Sequence, residues 1–285
     1  MIYEGITRAD YDNLEGINHS KLKYFKQSIK HGHYRLTERV EQTPAMRLGT
    51  AIHTLVLEPH KFQSEYCVGG PVNPKTGTTY GSSTKKFAEW MDEQEPGKTF
   101  LSNQDAEKAH GISQAVKRNE EASRILRKSN LKESAMTWVD EETGIKCKCL
   151  IDFGSTSDRF IGDLKSISGN LTYDSLSSAL YKMDYHQQFS FYNAGAIANG
   201  LQPQKFLVIF CQTTDEKDVA IAEIGEQSLH YGEMQYRKCL NNYRECMNGN
   251  IKGYHSSEFI LDVPYWAMSE FMDLEESGIL FEETV

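Results

Sequence analysis

The 285-residue sequence lacks any long apolar run, which excludes a helical membrane span. No stretch reaches the roughly 18 consecutive apolar residues that a transmembrane helix needs. The first residues, 1–6, also lack the basic start and the apolar stretch of a secretion signal. We therefore expect a soluble, cytoplasmic protein.

Cysteine is scarce and scattered, which argues against a disulfide framework. The six cysteines stand at positions 67, 147, 149, 211, 239 and 246. Cys147 and Cys149 lie two residues apart on the apolar stripe of a predicted strand, so we expect reduced residues that pack in the core. A reducing compartment fits this usage.

Internal repeats and low-complexity segments are absent as well. With 39% hydrophobic and 25% charged residues, the chain can bury one substantial core. We expect a single domain over residues 1–285 that ends in an acidic tail, residues 273–283.

Hydrophobic periodicity predicts an α/β fold with a mixed central sheet flanked by helices. Helices are predicted over residues 18–30, 44–58, 84–95, 103–129, 172–199 and 226–248. Strands are predicted in two hairpins, residues 135–152 and 205–224, and over residues 159–166.

Two aspartates and a lysine are predicted to converge on adjacent strands. Asp152 ends the alternating segment 145–152, on the face opposite its apolar residues. Eleven residues later, Asp163 and Lys165 share one face of the next strand, because side chains two apart on a strand point the same way. Converging carboxylates bind a hard divalent cation through oxygen, and a lysine can then attend a metal-activated water.

Asp-x-Lys alone is a weak motif, and the chain contains a second copy of it. Asp215-Glu216-Lys217 stands between the strands of the second hairpin, where it is predicted to be a solvated turn. Asp163 and Lys165 could likewise be an exposed cross-strand charge pair. Neighbouring motifs favour the catalytic interpretation of the first copy.

The spacing of Asp152, Asp163 and Lys165 is similar to the active-site signature of PD-(D/E)xK nucleases, and the neighbouring segments resemble RecE-type phage and prophage exonucleases of that superfamily. Leu48–Pro59 is similar to the family's Leu-Gly-Thr-x-x-His-x-x-x-Leu-Glu-Pro helix. Tyr185–Tyr192 is similar to its Tyr-His-x-Gln-x-x-x-Tyr helix, and residues 17–22 with 33–35 resemble its opening helix.

This resemblance runs in order from about residue 17 to about residue 212, and less distinctly to residue 266. Ile151 departs from the pattern, because the family often has proline before the first aspartate. That position shapes the strand and binds no metal.

The resemblance also implies the site residues. The implied metal ligands are His53, Asp152, Asp163 and the backbone carbonyl of Leu164. The implied catalytic residues are Lys165, Asp152, Asp163, Gln188 and Tyr192. Lys165 would attend the water, and Gln188 and Tyr192 would position the substrate or the lysine.

Some of these side chains have a plainer alternative. His53 could be a packing histidine, and Gln188 and Tyr192 could be helix-surface or core residues. Glu58 is predicted to be a helix-end residue before proline, and His186 to cap or to pack.

The activity that the resemblance implies is a 5′-to-3′ exodeoxyribonuclease. Such an enzyme depends on Mg²⁺, for which Mn²⁺ substitutes, and degrades one strand of linear duplex DNA. It leaves 3′ overhangs for recombination by a RecT-like single-strand annealing protein. The family forms ring-shaped homo-oligomers in the cytoplasm of a bacterial host.

Two alternatives stay open. One is a structure-specific endonuclease of the same superfamily. The other is a non-catalytic DNA-end adaptor that recruits a recombinase, although an intact Asp152, Asp163 and Lys165 set argues against a decayed site.

The net charge of −9 lacks the positive excess that phosphate contacts need. However, acidic residues concentrate in segments 92–95, 140–142 and 273–283, whereas segments 21–47 and 118–132 are basic. A surface polarised in this way lets one face bind a duplex.

The predicted DNA contacts lie in or next to the first basic segment. They are Ser20, Lys21, Arg35 and Arg47. His19, His31 and His33 either face the phosphate backbone or lie on a solvated helix face. Val68–Ser83, rich in Gly, Pro and Thr, is predicted to be a long loop that moves or covers DNA.

Overall fold

The computed structural model describes residues 1–38, 42–254 and 258–268. Its strands are β1 (Ile2–Tyr3), β2 (Tyr66–Val68), β3 (Thr99–Leu101), β4 (Leu131–Val139), β5 (Lys146–Ser155), β6 (Phe160–Ile167), β7 (Lys205–Gln212) and β8 (Val219–Glu223). Its α-helices are α1 (Arg8–Asn13), α2 (His19–Leu22), α3 (Ile29–Thr37), α4 (Pro44–Leu57), α5 (Phe62–Glu65), α6 (Lys85–Asp92), α7 (Asn103–Arg118), α8 (Glu120–Lys128), α9 (Tyr173–Lys182), α10 (Tyr185–Ala198) and α11 (Glu226–Met247). Short 3₁₀ turns cover Lys23–Lys26 and Pro59–Lys61.

Six strands form one mixed sheet in the order β1-β4-β5-β6-β7-β8. Strands β6 and β7 are parallel and are connected through α9 and α10, whereas the other neighbours are antiparallel. Strands β2 and β3 form a separate parallel pair. The predicted α/β fold with a mixed central sheet flanked by helices is confirmed.

An apolar core covers each face of the sheet. On one face, α10 and α11 pack with α2 through buried residues such as Phe189, Phe191 and Leu240. On the other face, α4, α7 and α8 contribute residues such as Ile52 and Ile112. Helices that approach from both sides can therefore bring side chains to the same pair of central strands.

Strand β5 is buried on both faces, so its prediction as a half-buried strand is wrong. Lys148 was predicted on the outer face, yet its side chain runs under α1 and the residue is only 6% exposed. Its Nζ donates hydrogen bonds to the carbonyls of Tyr11 (2.9 Å), Asp12 (3.0 Å) and Leu14 (2.6 Å). The ammonium therefore caps the C-terminal end of α1, which the sequence analysis did not predict.

Three predicted helices are interrupted in the structure. Within 18–30, the 3₁₀ turn ends at Lys26, and Ser28 accepts a hydrogen bond from His31 N as the N-cap of α3. Within 103–129, Asn119 separates α7 from α8 and caps α8 in the same way. Within 172–199, Asp184 adopts a left-handed conformation, with φ of 59°, between α9 and α10.

Other predictions are confirmed. Helices α4 and α11 lie where expected, and Asp215-Glu216-Lys217 forms the turn between β7 and β8. The six cysteines are free and buried. Residues 69–84 contain no helix or strand beyond a bridge between Val72 and Thr79, as the loop prediction requires.

None of the helices in the described ranges is long and apolar enough to cross a membrane. The predicted acidic tail, residues 273–283, lies outside the described residues.

Candidate active site

The site lies where β5 and β6 stop pairing. The last pair of their ladder is Phe153 and Gly162. Immediately beyond this pair lie Asp152 on β5 and Asp163 on β6. Leu164 N donates a hydrogen bond to Asp152 Oδ2 at 2.7 Å, in the region where the ladder has ended. A carboxylate thus satisfies a backbone donor that the neighbouring strand no longer reaches.

Gly162 permits the close packing at this point. A Cβ atom on Gly162 would lie 1.9 Å from Cε2 of Phe153, whose ring is completely buried. No side chain larger than hydrogen fits here without displacing that ring. The glycine therefore has a steric role immediately before the Asp-x-Lys motif.

Helix α4 brings His53 to Asp152 from one face of the sheet. His53 Nδ1 lies 3.4 Å from Asp152 Oδ2. One turn earlier, a Cβ atom on Gly49 would lie only 3.2 Å from Ser166 Oγ, so the helix approaches β6 closely. Glu58 is the C-cap residue of α4 and pairs with Lys61 at 2.7 Å, which confirms its helix-end position.

Glu133 is a further member of the site that the sequence analysis missed. Its neighbours on β4 pair with the neighbours of Asp152 on β5, so the two residues face each other across the ladder. Glu133 has a φ of 41°, which is rare for a residue with a side chain. Ligand atoms of His53, Glu133 and Asp152 all lie within 4.8 Å of one another.

Helix α10 brings Gln188 and Tyr192 to Asp163 from the other face. Gln188 Nε2 donates to Asp163 Oδ1 at 2.9 Å and to the Tyr192 hydroxyl at 2.8 Å. Asp163 Oδ2 lies 2.5 Å from Lys165 Nζ but accepts no hydrogen bond of normal geometry. This buried oxygen therefore keeps a lone pair for a cation.

Burial and neighbouring carboxylates raise the pKa values of Glu133 and Asp152. Burial, followed by the charges of Asp152 and Glu58, raises the pKa of Glu133 to about 9. Burial and the charge of Asp163 raise the pKa of Asp152 to about 6. Without a cation, the site therefore holds protons that carboxylates in water would release.

Lys165 and Tyr192 respond to the same negative charge. Burial lowers the pKa of Lys165, but the carboxylates of Asp163 and Asp152 outweigh burial, so its net pKa is raised. Burial and the charge of Asp163 raise the pKa of the Tyr192 hydroxyl. The lysine is thus a cation and the tyrosine a neutral group at physiological pH.

The predicted DNA contacts lie apart from this cluster in sequence. Ser20 and Lys21 are exposed on α2. Arg35 forms an ion pair with Glu38, and Arg47 Nη1 donates to the carbonyl of Gln42 at 2.8 Å. Their roles on DNA stay predictions.

Two histidines have structural roles. His19 is 6% exposed and its Nε2 lies 3.0 Å from Gln187 Oε1, so both predicted alternatives for it are wrong. Burial and the charge of Lys23 lower its pKa to about 3. His186 packs between the rings of Tyr181 and Tyr231, which confirms its packing prediction.

Comparisons with known proteins agree with this geometry. Residues 18–259 match a family model described as "PDDEXK-like domain of unknown function (DUF3799)". A crystal structure of a "Putative exonuclease" from Eubacterium rectale has a TM-score of 0.58 and 18% sequence identity, covering 94% of this chain and 99% of its own. This likeness shows a shared fold. No curated protein matches the chain.

Proposed function

This chain belongs to the PDDEXK-like family DUF3799, and from that premise we propose that it is a divalent-metal-dependent 5′-to-3′ exodeoxyribonuclease of the RecE type. It would degrade one strand of linear duplex DNA and leave a 3′ overhang. The observation that carries the proposal is the juxtaposition of His53, Glu133 and Asp152 beside the Asp163 and Lys165 pair.

The residues present fit a divalent cation. His53, Glu133 and Asp152 offer one nitrogen and two carboxylate oxygens within 4.8 Å of one another, and Asp163 Oδ2 is a buried acceptor whose contact with Lys165 Nζ lacks normal hydrogen-bond geometry. Oxygen ligands suit Mg²⁺ and Mn²⁺, and the histidine nitrogen suits Mn²⁺ as well. We propose His53, Glu133, Asp152, Asp163 and the Leu164 carbonyl as ligands.

A bound Mg²⁺ or Mn²⁺ would polarise the scissile phosphate and lower the pKa of the attacking water. The chain's own residues do the rest. Lys165 places its ammonium beside the water and the charge that develops on the phosphate. The Gln188 amide donates hydrogen bonds to one oxygen of Asp163 and to the Tyr192 hydroxyl. These two bonds fix the amide, and the amide in turn keeps the Asp163 carboxylate in one orientation.

The rest of the proposal concerns DNA and partners. We propose that Ser20, Lys21, Arg35 and Arg47 contact the DNA backbone and that the loop over residues 69–84 covers the duplex. We also propose a ring-shaped homo-oligomer and a RecT-like annealing protein that receives the 3′ overhang. The support for both is the resemblance to RecE-type exonucleases.

Digestion of end-labelled DNA tests the proposal. Linear duplex labelled at its 5′ ends, the same duplex labelled at its 3′ ends, and a covalently closed circle are incubated with Mg²⁺. We expect early release of the 5′ label, late release of the 3′ label and an intact circle. A nicked or cut circle would instead indicate an endonuclease.

The variant Asp163→Asn serves as the control for contaminating nuclease in this digestion. If the wild-type protein binds DNA ends but releases neither label with Mg²⁺ or Mn²⁺, the proposal of an exonuclease is wrong. We would then favour the alternative function, a non-catalytic adaptor that binds DNA ends and retains the nuclease fold.

A further inference from the structure

Lys165 has a second neighbour besides Asp163. Its Nζ lies over the ring of Tyr185, 4.8 Å from the ring centroid. The lysine side chain is 18% exposed and Tyr185 is 7% exposed, so this contact is largely screened from water. A cation over an aromatic face is attracted more strongly when it is desolvated.

The Tyr185 ring is itself held in place. Tyr185 is the first residue of α10, and the preceding Asp184 forms an ion pair with Lys26 at 2.6 Å. On the sheet side, the ring contacts Phe210, at 6.4 Å between centroids. Phe210 is the cross-strand partner of Lys165 on β7, so the ring covers the lysine and its neighbour together.

We infer that Tyr185 is a positioning residue for Lys165. An aromatic face attracts an ammonium group without accepting its N–H donors in conventional hydrogen bonds. Those donors stay available for a water and for a phosphate oxygen. Tyr185 can therefore fix the direction of Lys165 while leaving its chemistry free.

Asp163 alone cannot do this. Its Oδ1 is bound by Gln188, and its Oδ2 is the oxygen that we assign to a cation. Lys165 and that cation would compete for the same oxygen, because both are positive. An aromatic ring carries no formal negative charge and binds no metal, so it can hold the ammonium group without taking an oxygen from the cation. Tyr185 provides such a ring.

The inference rests on the proposed nuclease function, and two measurements test it separately from that function. The first is steady-state kinetics on linear duplex DNA for Tyr185→Leu, Tyr185→Phe and Tyr11→Leu. Tyr11 is the matched control, because it is a buried tyrosine (3% exposed) with Lys148 Nζ 4.9 Å from its ring centroid. All rates are measured at a temperature at which each variant is folded.

We expect Tyr185→Leu to lower kcat roughly tenfold or more, with the KM for DNA and the Mg²⁺ midpoint unchanged. Tyr185→Phe should keep the wild-type kcat, since phenylalanine retains the ring face that attracts the ammonium group. Tyr11→Leu should leave kcat unchanged even where it lowers Tm. An unchanged kcat in Tyr185→Leu, or an equal loss in Tyr11→Leu, would overturn the inference.

The second measurement needs no nuclease activity. In protein labelled with ¹³C at the lysine ε-carbon, the ε-methylene protons of Lys165 should be shifted upfield by the ring current of Tyr185. Lys165→Arg identifies the signal. The shift should persist in Tyr185→Phe and disappear in Tyr185→Leu.

The two measurements separate the possible failures. If no upfield lysine signal is present in the wild-type protein, Lys165 does not lie over the ring and the inference is wrong. If the signal is present but the wild-type protein cleaves no DNA, the proposed function fails, and the inference fails with it because no reaction remains for Lys165 to serve.

Discussion

Gln188 Nε2 donates a hydrogen bond to Asp163 Oδ1 at 2.9 Å, and this bond ties α10 to the strand that carries the Asp-x-Lys motif. Asp152 is contacted from the opposite side, by His53 on α4. Each aspartate therefore has a separate supporting helix. Because the helices belong to different apolar cores, the side chain that contacts each aspartate is positioned by a different core.

We predict that Asp163→Asn lowers cleavage of linear DNA by more than about a hundredfold while the protein stays folded. The amide cannot supply the negative charge that a divalent cation needs. The matched control is Asp215→Asn, in the second Asp-x-Lys copy, which should cleave at the wild-type rate. Activity of Asp163→Asn above a tenth of wild type, or an equal loss in the control, would place the site elsewhere.

Lys165→Ala should lose on the order of 10²- to 10³-fold in turnover and keep its affinity for metal and DNA. The ammonium acts on charge that develops during the reaction, so its removal affects the transition state more than the bound substrate. DNA affinity is measured with Ca²⁺ in place of Mg²⁺, and Lys217→Ala is the control. A loss of affinity as large as the loss of rate would make Lys165 an ordinary phosphate contact.

Glu133→Gln should stabilise the metal-free protein and weaken its binding of Mn²⁺. Glu133 has a folded-state pKa of about 9, far above its ordinary value of 4.5. Between these values the folded state binds more protons than the unfolded state, so stability falls as pH rises from about 4.5 to about 9. The glutamine variant should lose much of that pH dependence.

Thermal melting in EDTA across this pH range checks the prediction. The Tm of the wild-type protein should fall with rising pH more steeply than that of Glu133→Gln, and added Mn²⁺ should raise the Tm of the wild type more than that of the variant. If the Tm of the two proteins changed with pH in the same way in EDTA, the pKa of Glu133 would not be raised in the folded state.

His53→Ala should raise the Mg²⁺ concentration for half-maximal rate roughly tenfold or more and leave Tm nearly unchanged. Apolar residues of α4 such as Ile52 and Leu55 keep the helix packed without the imidazole. His186→Ala is the opposite case, because His186 packs between two tyrosine rings and its Nε2 lies 3.0 Å from Gln235 Oε1. It should lower Tm and keep the metal midpoint. The reverse pattern would make His53 a packing residue.

Gly162→Ala should destabilise the protein by about 1–3 kcal/mol or more, since the new methyl group overlaps the ring of Phe153. Urea unfolding of the variant, compared with Phe153→Leu and the double variant, measures the clash. The double variant should be more stable than the sum of the two single losses predicts. Strict additivity would mean that the ring and the methyl group do not meet.

The central strands, the longer helices and part of the candidate site could be predicted from the sequence, whereas the short strands β1, β2 and β3 were not. Period-two alternation indicated β5, a short apolar run indicated β6, and the spacing of Asp152, Asp163 and Lys165 placed them together. His53, Gln188 and Tyr192 were implied by the resemblance to RecE-type exonucleases. Helix interruptions could not be predicted from periodicity, because Ser28 and Asn119 each begin a new helix by accepting a single hydrogen bond as its N-cap. These bonds leave the apolar pattern on either side intact.

Glu133 could have been found from the hairpin register. The turn at 140–145 fixes the pairing of β4 with β5, and counting back from it places Glu133 opposite Asp152. Its unusual φ could not be predicted, because neither Glu133 nor the flanking Lys132 and Ser134 is a residue type that favours a left-handed conformation. The pKa values are likewise properties of the assembled cluster.

The ladder between β5 and β6 ends at Phe153 and Gly162, so the two aspartates next to that pair lie outside the hydrogen-bonded part of this strand pair. Both strands nevertheless stay in the sheet, because Ile151 and Phe153 pair with β4, and Asp163 and Lys165 pair with β7. A substitution at Asp152 or Asp163 therefore removes a carboxylate while the backbone ladders on the outer sides of the two strands stay in place.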